Sequence, residues 1–281
     1  IYARKDYEKN REFARRFIDF ASDYGLSISL VLREDIIFGI RDGSPFIDLN
    51  TCKGMLPRFA INRCMDPLLG KQLEIMGIRV FNPSAVSEVC NDKARTYQRI
   101  AALEIPMVDT VFSTREYLLS RDNLFEYPAV IKSAGGRGGA EVYKAGSLKE
   151  LREFVRSTNS DRFVVQKLCG MPGRDVRVFV VGRQIVGAVE RYSDRDFRAN
   201  YSLGGAARLY SLSNEQTALV RRIIDSFKFD MVGIDFIFDS QGNFLFNEIE
   251  DVVGTRTLYM NSNIDIVRIY LEHIRNQKQN Q

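Results

Sequence analysis

The sequence predicts a mixed α/β and α+β protein, in which an N-terminal α/β region precedes two regions rich in antiparallel strands. Three observations predict this class. Helical and strand patterns alternate over the first hundred residues, and seven strand-like segments then follow among few helices. The chain has 281 residues, 45% apolar and 27% charged, which is enough to bury a sizeable core without disulfide bonds.

The N-terminal region alternates between two periodicities. Lys5 to Tyr24 repeats apolar residues at helical spacing, and the apolar run Leu26 to Leu32 is typical of a strand. A second helix is expected from Pro67 to Met76, and a short strand from Arg79 to Phe81. We therefore expect a βαβ-like opening, with a hairpin around residues 42–44.

The remainder alternates strands with capped helices. A helix is expected from Lys93 to Leu103, followed by a strand that reaches Phe112. Capping-box patterns mark three further helix starts, at Ser113 with Glu116, Ser147 with Glu150, and Ser213 with Gln216. The strands are predicted at Ala129–Lys132, Glu141–Tyr143, Phe163–Lys167, Val176–Val181, Gln184–Arg191, Met231–Phe238 and Phe244–Glu250.

These elements suggest four consecutive segments. We predict an N-terminal α/β domain over 1–88, a linker helix and strand over 89–112, a small domain over 113–168, and a C-terminal antiparallel-sheet domain over 169–281.

Composition excludes several classes of function. The single histidine, His273, lies in the amphipathic stretch Ile264 to Ile274, which predicts a docking helix, so Ser/His/Asp and Cys/His catalysis are excluded. The four cysteines form no CxxC pair and have no neighbouring histidine, which excludes a disulfide framework and a zinc site. They are Cys52, Cys64, Cys90 and Cys169.

The chain has the pattern of a cytoplasmic protein. No apolar run is long enough to span a bilayer and no signal sequence is visible, so we expect no membrane association. The formal charge of +4 is spread along the chain, so we expect no nucleic-acid partner. The sequence begins at Ile1 and not at Met, so further residues are expected before it. A homo-oligomer remains open.

The strongest local signal is an acidic hairpin near the end of the chain. A loop at residues 240–243 would place Asp235 opposite Glu248, and Glu250 shares the face of Glu248. Like charges this close raise one another's pKa, and a bound Mg²⁺ is the simplest way to keep all three ionised. The alternative is that Asp235 is solvated or salt-bridged and that the glutamates flank a rim.

The second signal is a glycine-rich turn between two strands. Lys132 ends one strand, and four of the five residues 135–139 are glycine. Such a backbone can direct amides at an anion, while the lysine offers a charge for phosphate. The segment is neither a Walker A loop nor a GxGxxG turn that opens a helix. A flexible hairpin loop is an equally good interpretation.

The third signal is cationic. Asp175 and Arg177 share one face of a strand, and the polar stretch after the next strand contains Arg191, Arg198 and Asn200. This stretch between strands is roughly sixteen residues long, and a loop of that length in a compact domain usually binds a ligand. Arginines supply paired donors for phosphoryl or carboxylate oxygens. The alternative is a set of surface salt bridges among Arg191, Asp194, Arg195, Asp196 and Arg198.

Taken in order, these motifs resemble those of the ATP-grasp superfamily, and of its RimK-type ligases in particular, over roughly residues 85 to 275. The motifs are Asp92-Lys93, Val130-Ile-Lys132, the glycine-rich turn, Val164–Lys167, Gly173–Phe179, Arg198–Asn200 with Gly204-Gly205, Gly233–Asp235 and Asn247–Glu250. The resemblance implies an ATP-grasp fold in which ATP lies between a small lid domain and the C-terminal domain. It also implies an ATP-dependent ligase that activates a carboxylate as an acyl phosphate, joins it to an amine, and releases ADP and phosphate.

The resemblance assigns roles residue by residue. The residues implied to bind ATP are Lys93, Lys132, Gly135, Gly136, Gly138, Gly139, Gln166, Lys167, Leu168 and Asp175. Those implied to face the phosphoryl group and the activated carboxylate are Arg177, Arg198 and Asn200. The implied ligands of one or two Mg²⁺ ions, with Mn²⁺ as an alternative, are Asp235, Glu248 and Glu250. The implied partners are small-molecule or peptide substrates that carry the carboxylate and the amine, with an amino acid or peptide favoured.

The sequence departs from the family pattern at three places. Glu250 replaces the usual Asn, which should tighten metal binding. Lys167-Leu168 replaces a Glu followed by an aromatic residue, and residues 250–254 lack the usual Asn-x-x-Pro-Gly, which makes Arg256 a candidate contact for the acceptor substrate. Two other functions stay open: a phosphotransferase on the same scaffold, and a non-catalytic nucleotide-binding module.

Overall fold

The structure, a computed structural model, describes residues 1–49, 56–122, 125–136, 141–199 and 205–279. The helices in these ranges are α1 (Arg4–Lys9), α2 (Arg11–Ala21), α3 (Pro67–Ile75), α4 (Ser84–Cys90), α5 (Lys93–Ala101), α6 (Arg115–Ser120), α7 (Leu148–Ser157), α8 (Asn214–Ser226), α9 (Arg256–Asn261) and α10 (Ile266–Gln279). The strands are β1 (Ile37–Arg41), β2 (Ser44–Asp48), β3 (Phe59–Ile61), β4 (Arg79–Phe81), β5 (Thr110–Thr114), β6 (Ala129–Ser133), β7 (Val142–Ala145), β8 (Arg162–Lys167), β9 (Arg174–Val181), β10 (Gln184–Tyr192), β11 (Ala206–Leu209), β12 (Met231–Phe238) and β13 (Phe244–Glu250).

The N-terminal region contains a parallel pair and a hairpin. Strands β3 and β4 are parallel and joined through α3, which is a βαβ unit, and β1 and β2 form the expected hairpin. The prediction of a strand from Leu26 to Leu32 is wrong. Only Leu32 forms a bridge, to Tyr2, because the run passes between two hydrophobic clusters: Leu26 packs in one and Val31 in the other.

The small antiparallel sheet has the strand order β5-β8-β6-β7, and α6 and α7 cover one of its faces. The α6 cap differs by one residue from the prediction, because the side chain of Thr114, and not that of Ser113, accepts from the backbone of Tyr117. The Ser147 and Ser213 caps are confirmed, and Ser213 forms a complete capping box with Gln216.

The larger antiparallel sheet has the order β11-β10-β9-β12-β13. One face is apolar along its whole length and packs Val178 of β9 and Ile234 of β12 against Ile223 of α8. The opposite face is divided. At one end Phe179 and Met231 pack on α10, and the other end carries charged side chains. The mixed α/β and α+β class is confirmed, while the boundaries 1–88, 89–112, 113–168 and 169–281 stay predictions.

The C-terminal helix docks on the large sheet as its apolar positions predict. Tyr270 and Leu271 of α10 are almost fully buried, and the His273 Nε2 lies 2.8 Å from the Asp230 Oδ1, at the end of the sheet away from the charged residues. In the described part of the chain, no helix combines the length and the apolar character needed to cross a lipid bilayer.

Asn82 joins the N-terminal region to the large sheet. Its Nδ2 donates to the carbonyls of Met231 at 2.8 Å and Asp251 at 3.1 Å, and its Oδ1 accepts from the backbone amides of Asp230 at 2.7 Å and Met231 at 3.0 Å. The side chain is buried, so removing it would leave backbone groups without partners.

We therefore expect Asn82→Ala to lower the free energy of unfolding by about 3 kcal/mol. Urea denaturation with circular dichroism measures this loss. The control is Asn243→Ala, because that side chain bonds only within an exposed turn, and we expect a loss below about 1 kcal/mol there. Equal losses in the two variants would contradict the role of Asn82.

Candidate active site

The acidic hairpin places Asp235 opposite Glu248 as expected, but its loop length and strand pairing differ from the prediction. Phe238 pairs with Phe244, so the loop has five residues and the pairing is offset by one from the prediction. A β-bulge at Asn247 then restores the count, and Asp235 lies opposite Glu248 as expected.

The bulge also exchanges the two faces of β13. Before it, Phe244 and Phe246 point into the apolar core, and after it Ile249 does so. Glu248 and Glu250 therefore point to the opposite face, although a regular strand would place them on the side of the two phenylalanines. The irregular residue is what brings the glutamates to the charged end of the sheet.

Three carboxylates meet on that face. One oxygen each from Asp235, Glu248 and Glu250 lies within 4.8 Å of the others. Hard oxygen donors in this number suit Mg²⁺ or Mn²⁺, which complete their shells with water and phosphate. The residues present therefore fit the implied metal.

The salt-bridge alternative for Asp235 is also realised. Its two oxygens accept from Arg177 Nε and Nη2 at 2.8 and 2.7 Å, and from Arg191 Nη2 at 2.8 Å. The two interpretations are compatible, because each carboxylate oxygen has a second lone pair. Burial alone would raise the pKa of Asp235, but the two guanidinium groups outweigh it and lower this pKa to about 2.

Each remaining acid of the site also contacts a basic residue, and two of these bases are shared with Asp235. Glu250 lies 2.7 Å from Arg177 Nη1, and Glu248 lies 2.9 Å from Lys93 Nζ. Asp175 accepts from Arg191 at 2.7 and 2.8 Å. Burial raises the pKa of Glu250, with Arg177 opposing the shift.

Two lysines define the side of the site that faces the small sheet. Lys132 is buried at the end of β6, where its Nζ donates to Asn247 Oδ1 at 2.9 Å. Lys93 begins α5 and donates to the carbonyl of Gly136, at the start of the glycine-rich turn. Burial lowers the pKa of Lys132 to about 8, because Glu248 opposes the shift only in part.

A cleft lies between the small and the large sheets, and residues of both sheets line it. The predicted site residues that line it are Lys93, Lys132, Gln166, Lys167, Leu168, Asp175, Arg198, Asp235, Glu248 and Glu250. Gly135 and Gly136 line an adjoining cavity, and Arg177 faces a third one. Gly138, Gly139 and Asn200 lie outside the described residues.

The cleft has an apolar end and a polar end. Val108, Val130 and Ile237 line it beside the end of β8, where the side chain of Lys167 turns away to pair with Glu126 at 2.9 Å. Gln166 donates from its amide to Thr110 Oγ1 at 2.9 Å. A flat base could therefore fit here through apolar contacts and backbone hydrogen bonds.

The cationic stretch combines the two interpretations. Arg191 is buried and bonded to Asp175 and Asp235, which excludes a surface salt bridge for it. Arg198 pairs with its near neighbour Asp196 at 2.7 Å on the wall of the cleft, which is the local pairing that the alternative expected.

Sequence reasoning missed two polar residues of the site. The Tyr97 hydroxyl donates to the Asn247 carbonyl at 2.7 Å, and Lys132 contacts both residues. Tyr97 could have been found, because it lies four residues after Lys93 and so shares its helix face. Asn247 could not, because its place in the site depends on the bulge, which the sequence does not reveal.

The lowered pKa of Lys132 predicts a pH effect on nucleotide affinity. A phosphate binds the protonated amine, and above about pH 8 the nucleotide-free protein loses this proton, so binding must take it up again. We expect the Kd for ATP with Mg²⁺ to weaken by about tenfold between pH 7 and pH 9. Calorimetric titrations across this range measure the change. In Lys132→Met the change should vanish, and an unaltered pH profile in that variant would contradict the assignment.

Comparison with known proteins supports the family resemblance. The family model described as a RimK-like ATP-grasp domain matches residues 90–274. Human beta-citrylglutamate synthase B is 28% identical and covers 96% of this chain and 74% of its own, and a probable alpha-L-glutamate ligase of Xanthomonas campestris is 31% identical over 73% of this chain and 72% of its own.

A solved structure supports the fold. The RimK domain ATP-grasp protein from Sphaerobacter thermophilus superposes with a TM-score of 0.70 at 19% identity over 93% of both chains. The predicted ATP-grasp fold is thereby confirmed. Because the family model matches about two thirds of its length, this chain belongs to the RimK-like ATP-grasp family of ATP-dependent carboxylate–amine ligases.

Proposed function

We propose that this chain is an ATP- and Mg²⁺-dependent ligase that joins a carboxylate to the amine of an amino acid or peptide. The observation that carries the proposal is the meeting of three carboxylates with two lysines across one cleft. Phosphoryl transfer needs charge neutralisation and alignment, and these residues supply both without a histidine.

The cleft gives each predicted residue a place in the proposed reaction. Lys93 and Lys132 would hold the phosphates of ATP, with the turn that begins at Gly135 above them, and the backbone of 166–168 would bind adenine. Asp235, Glu248 and Glu250 would hold Mg²⁺. When bound, the ion would neutralise charge on the phosphate oxygens.

The ion pairs of the site have a role in this proposal. Asp175, Asp235, Glu248 and Glu250 face an equal number of cations, namely Lys93, Lys132, Arg177 and Arg191. Their formal charges cancel, which keeps the carboxylates ionised before the metal arrives. In the loaded site Glu248 would serve as a metal ligand, and Lys93 would contact phosphate in place of this carboxylate.

The chemistry proposed here balances without an external reductant or oxidant. A carboxylate oxygen attacks the γ-phosphorus, and the bond from this phosphorus to ADP breaks. The amine nitrogen then attacks the acyl carbon, loses a proton, and displaces phosphate. Arg177 touches Glu250 and faces the adjoining cavity, so it is placed to stabilise charge on the reacting carboxylate.

The names of two relatives support glutamate as one substrate. Both the human beta-citrylglutamate synthase and the Xanthomonas alpha-L-glutamate ligase are named for glutamate. We propose L-glutamate as the first compound to test, either as the amine or as the residue that is extended.

A phosphate-release screen with ATP, Mg²⁺ and pairs of amino acids or dicarboxylates tests the proposal, with mass spectrometry of the products. We expect an amide, and with a carboxylate labelled with ¹⁸O we expect one label in the released phosphate. A phosphate ester with no amide would instead support the phosphotransferase. Neither product in any pair, with ATP bound, would favour the non-catalytic module.

A further inference from the structure

A second, larger cavity adjoins the metal site and shares Arg191 and Glu250 with the nucleotide cleft. Its other walls come from α1, α2, the segment after β3, the loop that follows β13, and α9. Neither the family assignment nor the predicted roles give most of these residues a function. Its basic residues outside the metal site are Lys9, Arg11, Arg16, Arg63 and Arg256.

These cations are not balanced within the cavity. The acidic residues that line it, apart from Glu250, are Glu8 and Glu12. Arg16 has a partner in Asp265 at 3.6 Å. In the described ranges, no carboxylate forms an ion pair with any of the other four basic residues. The cavity therefore has a positive potential that favours an anionic occupant.

Arg63 is the one of these residues that is deeply buried, at 6% exposure. It lies two residues after the end of β3, at the carboxyl end of a parallel pair, which is where open α/β sheets place ligand-binding residues. Its Nη2 donates to the Val253 carbonyl at 2.7 Å, and its Cζ lies 5.2 Å from the centre of the Phe13 ring. Its Nε is buried without any partner.

Among the described residues no carboxylate is in ion-pair contact with Arg63, and Asp251 interacts with it only at longer range. A buried guanidinium with one hydrogen bond and such a distant counter-charge is costly, because desolvation of the charge is offset only in part. Arg63 also lines the cavity beside Gly135 and Gly136, so it lies between two solvent-filled spaces that both reach Glu250. The unused donors of its planar group match a carboxylate, which would take two of them at once. A carboxylate from outside the chain would satisfy these donors.

We infer that Arg63 binds a carboxylate of the substrate that does not react, and so selects an acidic amino acid or a dicarboxylate. The inference rests on the proposed ligase function and extends it to the substrate class. Arg256, the first residue of α9, lines the same cavity and is placed to assist there. Arg63 acts as a specificity-determining residue, and the chemistry stays with the metal site.

The test compares the binding of an amino acid that has a side-chain carboxylate with the binding of its uncharged amide analogue. L-glutamate and L-glutamine are titrated into the wild type, Arg63→Met and Arg63→Lys, each saturated with Mg²⁺ and a non-hydrolysable ATP analogue. We expect the wild type to prefer L-glutamate by about 30-fold, and Arg63→Met to lose this preference. Arg63→Lys should keep part of it, because it retains the charge.

Arg16→Met is the matched control, since Arg16 lines the same cavity but already has a partner. It should keep the preference for L-glutamate within about threefold. A second arm replaces the amino acids by glutarate and butyrate, which carry no amine. If Arg63→Met removes the preference among the amino acids, the carboxylate bound by Arg63 belongs to the amine substrate. If it removes the preference for glutarate over butyrate, that carboxylate belongs to the acid that is activated.

Two outcomes would overturn the inference. One is a wild type with no preference for the dianion in either arm, and the other is a preference that survives in Arg63→Met. A purely structural role would lower the melting temperature and weaken L-glutamate and L-glutamine equally. Failure of the proposed ligase function would show separately, as wild-type protein that binds the dianion but releases no phosphate.

Discussion

Glu248→Gln should reduce ATP turnover at least about 100-fold while leaving the fold intact. The substitution removes one negative charge from the three-carboxylate site and changes no volume. Glutamine can still accept a hydrogen bond from Lys93, whose Nζ lies 2.9 Å from the present carboxylate, so the local packing should persist. The loss should therefore come from the metal and not from the structure.

The measurement is phosphate release at saturating ATP, repeated over a range of Mg²⁺ concentrations. We expect the residual activity of Glu248→Gln to need more Mg²⁺ than the wild type, and its apo melting temperature to stay within about 2 °C. Glu272→Gln, on the exposed face of α10 and paired with Arg275, is the control and should behave as wild type. Normal turnover in Glu248→Gln would refute the metal assignment.

Lys132→Met should weaken ATP binding by about 30-fold without lowering the thermal stability of the nucleotide-free protein. Burial already works against the ammonium group, as its lowered pKa indicates, so the protein retains this charge at a cost to its own stability. A methionine of similar length removes the charge and fills the space. The apo melting temperature should therefore stay the same or rise.

Melting with and without ATP and Mg²⁺ separates the two effects, because a ligand that binds only the folded state stabilises it by RT ln(1 + [L]/Kd), so weaker binding gives a smaller rise in melting temperature. The shift should be large in the wild type and small in Lys132→Met. Lys149→Met, an exposed change on α7, should leave the shift unaltered. A full shift in Lys132→Met would exclude Lys132 from the phosphate site.

The pattern of residues predicts most of the framework. The long strands β12 and β13 and the helix caps at Ser147 and Ser213 follow from local chemistry that is visible in a few neighbouring letters. The prediction of a strand from Leu26 is wrong because an apolar segment can also pack between two hydrophobic clusters without a partner strand. Only the tertiary structure decides whether such a segment forms a strand.

The sequence predicts which residues form the site better than it predicts the contacts among them. Asp235 faces Glu248 as the hairpin count predicts, yet only because the bulge at Asn247 cancels an offset of one residue at the loop. Which arginine pairs with which carboxylate depends on the register of three strands, so the hydrogen bonds of Arg177 could not be predicted from sequence spacing. The burial of Arg63 with its Nε unpaired could not be predicted from spacing either. These contacts depend on residues far apart in the chain.

The most direct test of the account is anomalous diffraction from crystals grown with Mn²⁺ and a non-hydrolysable ATP analogue. We predict a manganese peak within about 2.0 to 2.3 Å of oxygens of Asp235, Glu248 and Glu250, with Lys132 beside the phosphates of the nucleotide. Nucleotide bound elsewhere, or manganese away from these carboxylates while Arg177 and Lys93 keep their present pairs, would contradict it.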